Sequence, residues 1–290
     1  MDPIRNTRAV DTASDAPHST RDAWNRIAKG YDRTNTVTQM WLGENALRRA
    51  QLEPGMRFLD VASGSGALSI PAARMGARVV AIDQSPAMLE LLRTRAAAEH
   101  LAIDTRVMNG EALEIEDAQF DIAGSQFGVM LFPDMPKGIR EMKRVVVPGG
   151  RVLIVAYGDP HQIDFLDFFV RAVASVRPGF EGPPMDPPPL PFQLQDPRKL
   201  QAELEAAGLQ SVSVETIIER TEFATGRDLW EWIRWSNPIV GEVLNGLNIS
   251  DQELLQIERT LDQLVRARAT SKGRAILSNP VNIGVSTAPG

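Results

Sequence analysis

The chain has 290 residues, 43% of them hydrophobic and 23% charged, enough for one large α/β domain with additions. Its 31 basic and 37 acidic residues leave a formal net charge of −6, which argues against a nucleic-acid enzyme that must neutralise phosphates. Cysteine is absent, which excludes disulfides, thiolate nucleophiles and cysteine-ligated zinc. The three histidines, His18, His100 and His161, lack metal-ligand spacing, so no metal is expected.

The first twenty residues are polar, without an apolar run of signal-peptide length, and read as a mobile leader. No stretch of about eighteen apolar residues suggests a membrane span, so the expected location is the cytoplasm. Trp24, Ile27 and Ala28 then share a helical stripe with Tyr31 following, and TVTQMWLGENALRRAQL continues helically. Alternation follows. RFLDVA (57–62) reads as a buried strand, and the bend SGSG leads into a helix through residue 75. ARVVAID (77–83) is a second strand. Ser85 and Pro86 then mark a helix start as N-cap and first helical residue. AIDTRVM (102–108) and FDIAGSQF (120–127) are the third and fourth strands. DMPKGIREMKRVVV is a helix ended by Pro148-Gly149-Gly150, and RVLIVAY (151–157) is the fifth strand.

Beyond residue 160 the pattern changes. QIDFLDFFVRAVASV is a phenylalanine-rich helix, and residues 177–197 are too proline-rich to be anything but a stiff extended loop. SVSVETIIERTEF is a strand, DLWEWIRWSNPIVGEVL is helical with a break at Pro238, and Ser250 and Glu253 form a capping box. NPVNIGVSTA alternates as a strand that could pair with 211–223. The expectation is a mobile leader (1–20), a cofactor-binding Rossmann-like core with N-terminal helices (21–160), and a region of lid helices, proline loop and closing strands (161–290) belonging to the same domain.

The bend carries the chemistry. Gly64 and Gly66 remove side chains where a ligand would approach the main chain, and the following helix offers free N–H groups. A P-loop is excluded, since no Gly-Lys-Ser/Thr ends the bend. A dinucleotide site is less easily dismissed, because Ala62-x-Gly64-x-x-Ala67 loosely imitates its fingerprint, and a turn without any ligand is the plainer alternative. Asp60, just before the bend, would repel a pyrophosphate and attract an ammonium group. Asp83, ending the neighbouring strand, could accept from both hydroxyls of a ribose.

DVASGSG, Asp83, MNGEA, FDIAGSQFGVMLFPD and RVVVPGGRVLIV stand in the order and spacing of class I S-adenosylmethionine-dependent methyltransferases. With AKGYDR upstream of the bend, the chain most resembles the ubiquinone/menaquinone-biosynthesis type, well over residues 20–160 and loosely beyond. The resemblance implies an α/β fold: a Rossmann-like, seven-stranded, mostly parallel sheet with helices on both faces, the last strand antiparallel, and helical lid insertions. It implies that the cofactor is S-adenosyl-L-methionine and the product S-adenosyl-L-homocysteine. By the same resemblance Gly64, Gly66 and the backbone near Ala62 would face the methionine part, and Asp60 would hold its amino group. Asp83 would bind the ribose, with Gln84 and Met88 bordering the adenine. Asn109 and Gly110, with Glu111 and Ala112 in the same segment, would meet the adenine edge, and Ser125, Gln126 and Phe127 would lie beside the sulfonium. Tyr31 belongs to the YD segment expected to fold over the cofactor. The family often has Gly where Ala62 stands and Asp where Asn109 stands; alanine suffices if its backbone angles are ordinary, and asparagine keeps an acceptor oxygen.

Methyl transfer needs positioning and dryness before it needs a base. His161 is the histidine nearest the expected rim and is the candidate base, set against a plain surface residue; Tyr31 could orient a substrate hydroxyl. Trp41, Phe165, Phe168, Phe169 and Trp230 are candidate substrate-binding residues, set against aromatics that build the lid's own core. The expected reaction is methylation of a hydrophobic or aromatic small molecule at O, N or C. The alternatives are a cofactor-binding protein with lost or different chemistry and an NAD-dependent oxidoreductase. The expected partner is that small molecule, with no nucleic acid and no membrane; a homodimer is compatible with the sequence.

Overall fold

The computed structural model describes residues 16–290. Helix α1 (Ala16–Tyr31) passes through a π-helical turn (Asp32–Thr36) into α2 (Val37–Arg49). The helix therefore starts inside the stretch expected to be a leader. Pro17 permits this, because a proline in the first helical turn breaks no hydrogen bond. The rest of that leader, residues 1–15, lies outside the described residues.

The strands are β1 (Arg57–Val61), β2 (Arg78–Asp83), β3 (Ile103–Val107), β4 (Phe120–Gln126), β5 (Val146–Tyr157), β6 (Gln210–Phe223) and β7 (Ala275–Thr287). They form one sheet in the order β3-β2-β1-β4-β5-β7-β6. β3, β2, β1, β4 and β5 run parallel, and β7 lies antiparallel between β5 and β6. Helices α3 (Ser69–Arg74), α4 (Pro86–Ala98) and α5 (Met135–Val145) connect the parallel strands. After β3 the chain returns to the other side of β1. Such a reversal leaves a crevice at the carboxyl ends of β1 and β4, the usual ligand site in open α/β sheets.

Two strands start several residues earlier than expected: β7 begins at Ala275, four residues before the NPVNIGVSTA run, and β5 is displaced further. The helix expected to reach Pro148 ends at Val145, and the strand begins at Val146, five residues earlier than expected. Val145, Val146 and Val147 are β-branched and favour the extended chain. Pro148 is accommodated at a shift of register against β4, with Gly149 at φ +77°.

Two large apolar clusters and a small third one, Met40, Ile70, Ala81, Leu89, Leu92 and Ala96, divide the interior. Phe58, Leu59, Ile122, Leu153 and Ile154 belong to the cluster around the parallel strands. The second large one is built by α6 (Asp164–Ala174), α8 (Gly226–Ser236) and α10 (Asp251–Arg268), with Phe168, Phe169, Trp230, Ile233, Ile257 and Leu261 at its centre. The last residue of β5, Tyr157, pairs with Val281, so residues 275–280 of β7 and their partners on β6 run beyond β5. The helices of the second cluster pack on that overhang as a cap above the crevice. The proline-rich loop is pinned: Gln193 Nε2 donates to Met130 O, and Asn282 Nδ2 donates to Leu194 O and Gln195 O. Helices α7 (Pro197–Ala206) and α9 (Pro238–Gly246) complete the chain, and no helix among the described residues is long and apolar enough to cross a membrane.

The α1–α2 segment is fastened to the cap. Asn35 Nδ2 donates to Trp232 O, Trp232 Nε1 donates to Thr38 Oγ1, and Arg33 pairs with Glu231 at 2.8 Å. Gly30 lets the Trp235 ring lie against the α1 backbone; a Cβ there would overlap the indole. Gly30→Ala should therefore lower stability by about 1–3 kcal/mol through overpacking, partly offset by alanine's better helix propensity. Thermal unfolding checks it, and an unchanged melting temperature would contradict the contact.

Candidate functional site

A cavity opens at the carboxyl ends of β1, β2 and β4, beneath α1. Its lining includes Trp24 and Tyr31 from α1, Asp60 and Ala62 through Gly64 around the bend, Asp83 through Ser85 after β2, Met88 from α4, and Gln126 through Gly128 after β4. The bend is shaped for close approach. Ala62 and Gly64 have φ of +58° and +52°, and the Tyr31 ring lies over Gly64. Ser63 N donates to Ile82 O, which holds the bend against β2.

Two carboxyls meet there, and among the described residues neither is in an ion pair. Asp60 is 1% exposed; one of its oxygens accepts from Ser69 Oγ, and Oδ1 has no partner. Burial pushes this carboxyl up to about 7, opposed by the Ser69 hydrogen bond and reinforced by the charge of Asp83. Asp83 accepts from Gly64 N and Ser85 N, each at 2.8 Å, one on each oxygen. Burial raises it as well, against backbone hydrogen bonds from Ser85, Gly64 and Gln84 that favour its charge. Each Asp83 oxygen keeps a lone pair for a further donor. Ser63 Oγ is also buried without a partner. A ligand bringing an ammonium to Asp60 and two hydroxyls to Asp83 satisfies these groups, and a pyrophosphate does not.

The walls are apolar. Met88 is buried, and Leu131, Phe132 and Pro133 close one side. Trp24 meets Tyr31 edge-on at 5.8 Å, and Phe127 stacks on Tyr157 at 4.4 Å. The Tyr31 hydroxyl donates to Gln39 Oε1, and its proton is held tightly, because burial, followed by the charges of Asp83, Glu219 and Asp60, raises its pKa. Gln126 Nε2 donates to Gln39 O, while Gln126 Oε1 has no partner. Asn25 of α1 accepts from Ser85 Oγ at 2.7 Å, which ties α1 to the N-terminus of α4.

Tyr31, Asp60, Ala62, Gly64, Asp83, Gln84, Met88, Gln126 and Phe127 thus share the cavity, and other expected residues do not. Ala62 lacks the ordinary angles assumed for it. Its positive φ costs a side-chain-bearing residue on the order of 1 kcal/mol and accounts for a preference for glycine there. Gly66 (φ +101°) does not line the cavity; a Cβ there would collide with Leu92, so this glycine seats the bend on α4. Ser125 is fully buried, donating from Oγ to Val61 O and accepting from Val129 N, and so joins β4 to β1. The segment expected at the adenine edge stands behind Phe132. Asn109 Oδ1 already accepts from Glu111 N and Gln84 Nε2, Gly110 is covered by the Phe132 ring, and Glu111 accepts from Asp134 N. Ala112 N bonds to Asn109 O within the same turn.

Apart from Tyr31, the catalytic and substrate candidates lie outside the cavity lining. His161 is exposed in a short 3-10 turn (Pro160–Gln162) and away from the cavity. Asp159 caps that turn by accepting from His161 N, so the local sequence builds a surface turn. Trp41 is 55% exposed on the outer side of α2. Phe165, Phe168, Phe169 and Trp230 are buried in the cap cluster and do not line the cavity, as the apolar stripes of α6 and α8 require. Sequence reasoning missed Ser63, Phe132 and the cavity role of Trp24. Trp24 was visible on the helical stripe before the YD segment, and Phe132 stood inside the quoted VMLFPD.

Residues 59–154 match a family model described as a methyltransferase domain. An uncharacterised protein of Mycobacterium tuberculosis is 36% identical over 148 residues, 51% of this chain and 52% of that protein. The demethylmenaquinone methyltransferase of Clavibacter sepedonicus is 35% identical over 156 residues, 51% of this chain and 61% of that enzyme. The chain thus spans about half the length of the first of these relatives. Among solved structures, Haemonchus contortus phosphoethanolamine N-methyltransferase 2, bound to phosphomonomethylethanolamine and S-adenosylhomocysteine, superposes with a TM-score of 0.57 at 20% identity. That match covers 94% of this chain and 60% of the other. The Bacillus subtilis protein YcgJ gives 0.54 at 17% identity, covering 87% and 98%. The matched domain over residues 59–154 and the sheet order agree with a class I S-adenosylmethionine-dependent methyltransferase domain, and the cavity lies at the strand ends of that matched segment.

Proposed function

We propose that this protein methylates a small molecule with an apolar or aromatic body. The observation that carries the reading is the pair of carboxyls, Asp60 buried and Asp83 half-buried, that flank the Ala62–Gly64 bend with no ion pair to either among the described residues. In this reading Asp60 holds the amino group of the cofactor, the backbone of Ala62–Gly64 faces its methionine part, and Asp83 holds the ribose hydroxyls. Met88 and Phe132 flank the adenine. S-adenosylmethionine supplies an electrophilic methyl group on a sulfonium centre.

The chain's contribution is to position the acceptor and keep the site dry. Tyr31 stays protonated near neutral pH, because burial and three carboxylates oppose its ionisation; it orients by hydrogen bonding and does not accept a proton. The Clavibacter relative is named for demethylmenaquinone, an aromatic acceptor with an apolar tail, whereas the Haemonchus enzyme binds a small charged one. Walls of Trp24, Tyr31, Phe127, Leu131 and Phe132 favour the former class for this chain.

Calorimetric titration with S-adenosylhomocysteine and NAD in parallel tests the cofactor reading; binding of NAD alone would overturn it. Asp83→Ala should weaken S-adenosylhomocysteine binding by on the order of 1.5–3 kcal/mol, and an unchanged dissociation constant would place the ribose elsewhere. The Asp60 carboxyl is raised from its usual 3.8 to about 7, so its ionised fraction grows as pH passes 7. S-adenosylhomocysteine should therefore bind up to about tenfold more tightly at pH 8 than at pH 6. The same shift has the opposite sign for folding: the unfolded chain holds fewer protons than the folded one, so ligand-free stability falls as pH rises from about 4 to 7. Asp60→Asn should flatten the binding profile, and its stability advantage over the wild type should grow across that window, as denaturant melts at several pH values would register.

A further inference from the structure

A second polar pair lies where β6 and β7 leave the sheet. Glu219 is 3% exposed and pairs in register with Asn279, which is 1% exposed. Both sit at the root of the overhang, two residues from Val281, the partner of Tyr157. Glu219 Oε1 and Asn279 Oδ1 are buried without a hydrogen-bond partner. Along β6 the buried residues alternate as Glu219, Thr221 and Phe223, so the carboxyl shares a face with the aromatics beneath the cap. Phe223 packs edge-on against Trp232, Trp232 against Phe165, and Phe165 against Tyr157. Tyr157 stacks on Phe127, a wall of the cofactor cavity. The field of Glu219 also reaches Tyr31, another wall of that cavity, and Tyr157.

A structural role does not account for this pair. A buried carboxyl is tolerated when a cation or several donors satisfy it, and the groups acting on Glu219 are its own burial and Asn279. The titratable groups facing it are Tyr31 from α1 and Tyr157 from β5, both protonated at neutral pH. Asn279 hydrogen-bonds to Glu219, yet among the described residues Glu219 Oε1 and Asn279 Oδ1 are each left without a donor, at the end of an aromatic path that begins at the cofactor cavity. An anion would be repelled, and a wholly apolar ligand would leave both oxygens unsatisfied.

We propose that Glu219 and Asn279 form the polar end of the methyl-acceptor subsite, and that the acceptor is an aromatic small molecule presenting an N–H or O–H group to them. This rests on the methyltransferase reading and deepens it. The aromatic body lies against Tyr157, its donor group meets the two oxygens, and Tyr31 stands between this subsite and the cofactor.

The test is calorimetry in two stages on the full chain. S-adenosylhomocysteine is titrated first; failure there sinks the cofactor reading itself. The loaded protein then receives matched aromatic probes: 2-naphthol against 2-methoxynaphthalene, and indoline against N-methylindoline. Each first member carries the donor that the second lacks. At least about tenfold tighter binding of the donor-bearing member is expected in at least one pair. Glu219→Leu and Asn279→Leu should each reduce that preference to less than about threefold while S-adenosylhomocysteine affinity stays within about twofold, which reports an intact fold. Equal binding within both pairs, no binding by any probe, or preference retained in both variants would overturn the proposal. Should Glu219→Leu fail to fold, Glu219→Gln is read in the same way, with the preference falling at least threefold.

Discussion

The site rests on the expense of keeping Asp60 charged. A carboxylate at the end of β1, 1% exposed and with one oxygen unsatisfied, has given up its hydration without gaining a counter-ion among the described residues. Proteins tolerate such groups where a ligand completes them. The surrounding geometry follows from the need to bring that ligand close. Ala62 and Gly64 turn left-handed so that the main chain faces the opening, and Gly66 gives up its side chain so that the bend can settle onto Leu92. Asp83 uses one lone pair on each oxygen to brace the backbone and keeps the others available.

The legible part of this arrangement was the part written in local patterns. Alternating apolar runs and helix starts gave the parallel strands because each signal lies within a few residues of the element it makes. The last two strands were legible too, with β7 placed antiparallel. Asp60 and Asp83 could be read because strand ends in such a sheet point at a crevice that topology dictates. The β5 boundary moved because three consecutive β-branched valines outweighed the proline that was taken to end the helix.

What could not be read depended on tertiary packing. An aromatic stripe looks the same in sequence whether it faces a ligand or another helix, so Phe165, Phe168, Phe169 and Trp230 were indistinguishable from pocket residues until α6, α8 and α10 were seen to bury them together. Trp41 is the converse case: its bulk suggested a contact, and it stands 55% exposed on α2. Asn109 shows a subtler limit. The residue type was right for an adenine partner, but its oxygen is taken by Gln84 and the Glu111 backbone, a competition that sequence spacing does not reveal. Glu219 went unnoticed because a lone acidic residue in a long edge strand ordinarily faces water, as Glu215 does.

Helix α1 binds separate regions at once. Asn25 fixes it to the start of α4, Trp24 and Tyr31 roof the cavity, and Gly30 and Arg33 hold it to α8 of the cap. A displacement of this helix large enough to admit a nucleoside must also strip contacts from Trp235 and Glu231. Movement of the cavity roof and movement of the cap are therefore mechanically one event, carried by a single rod.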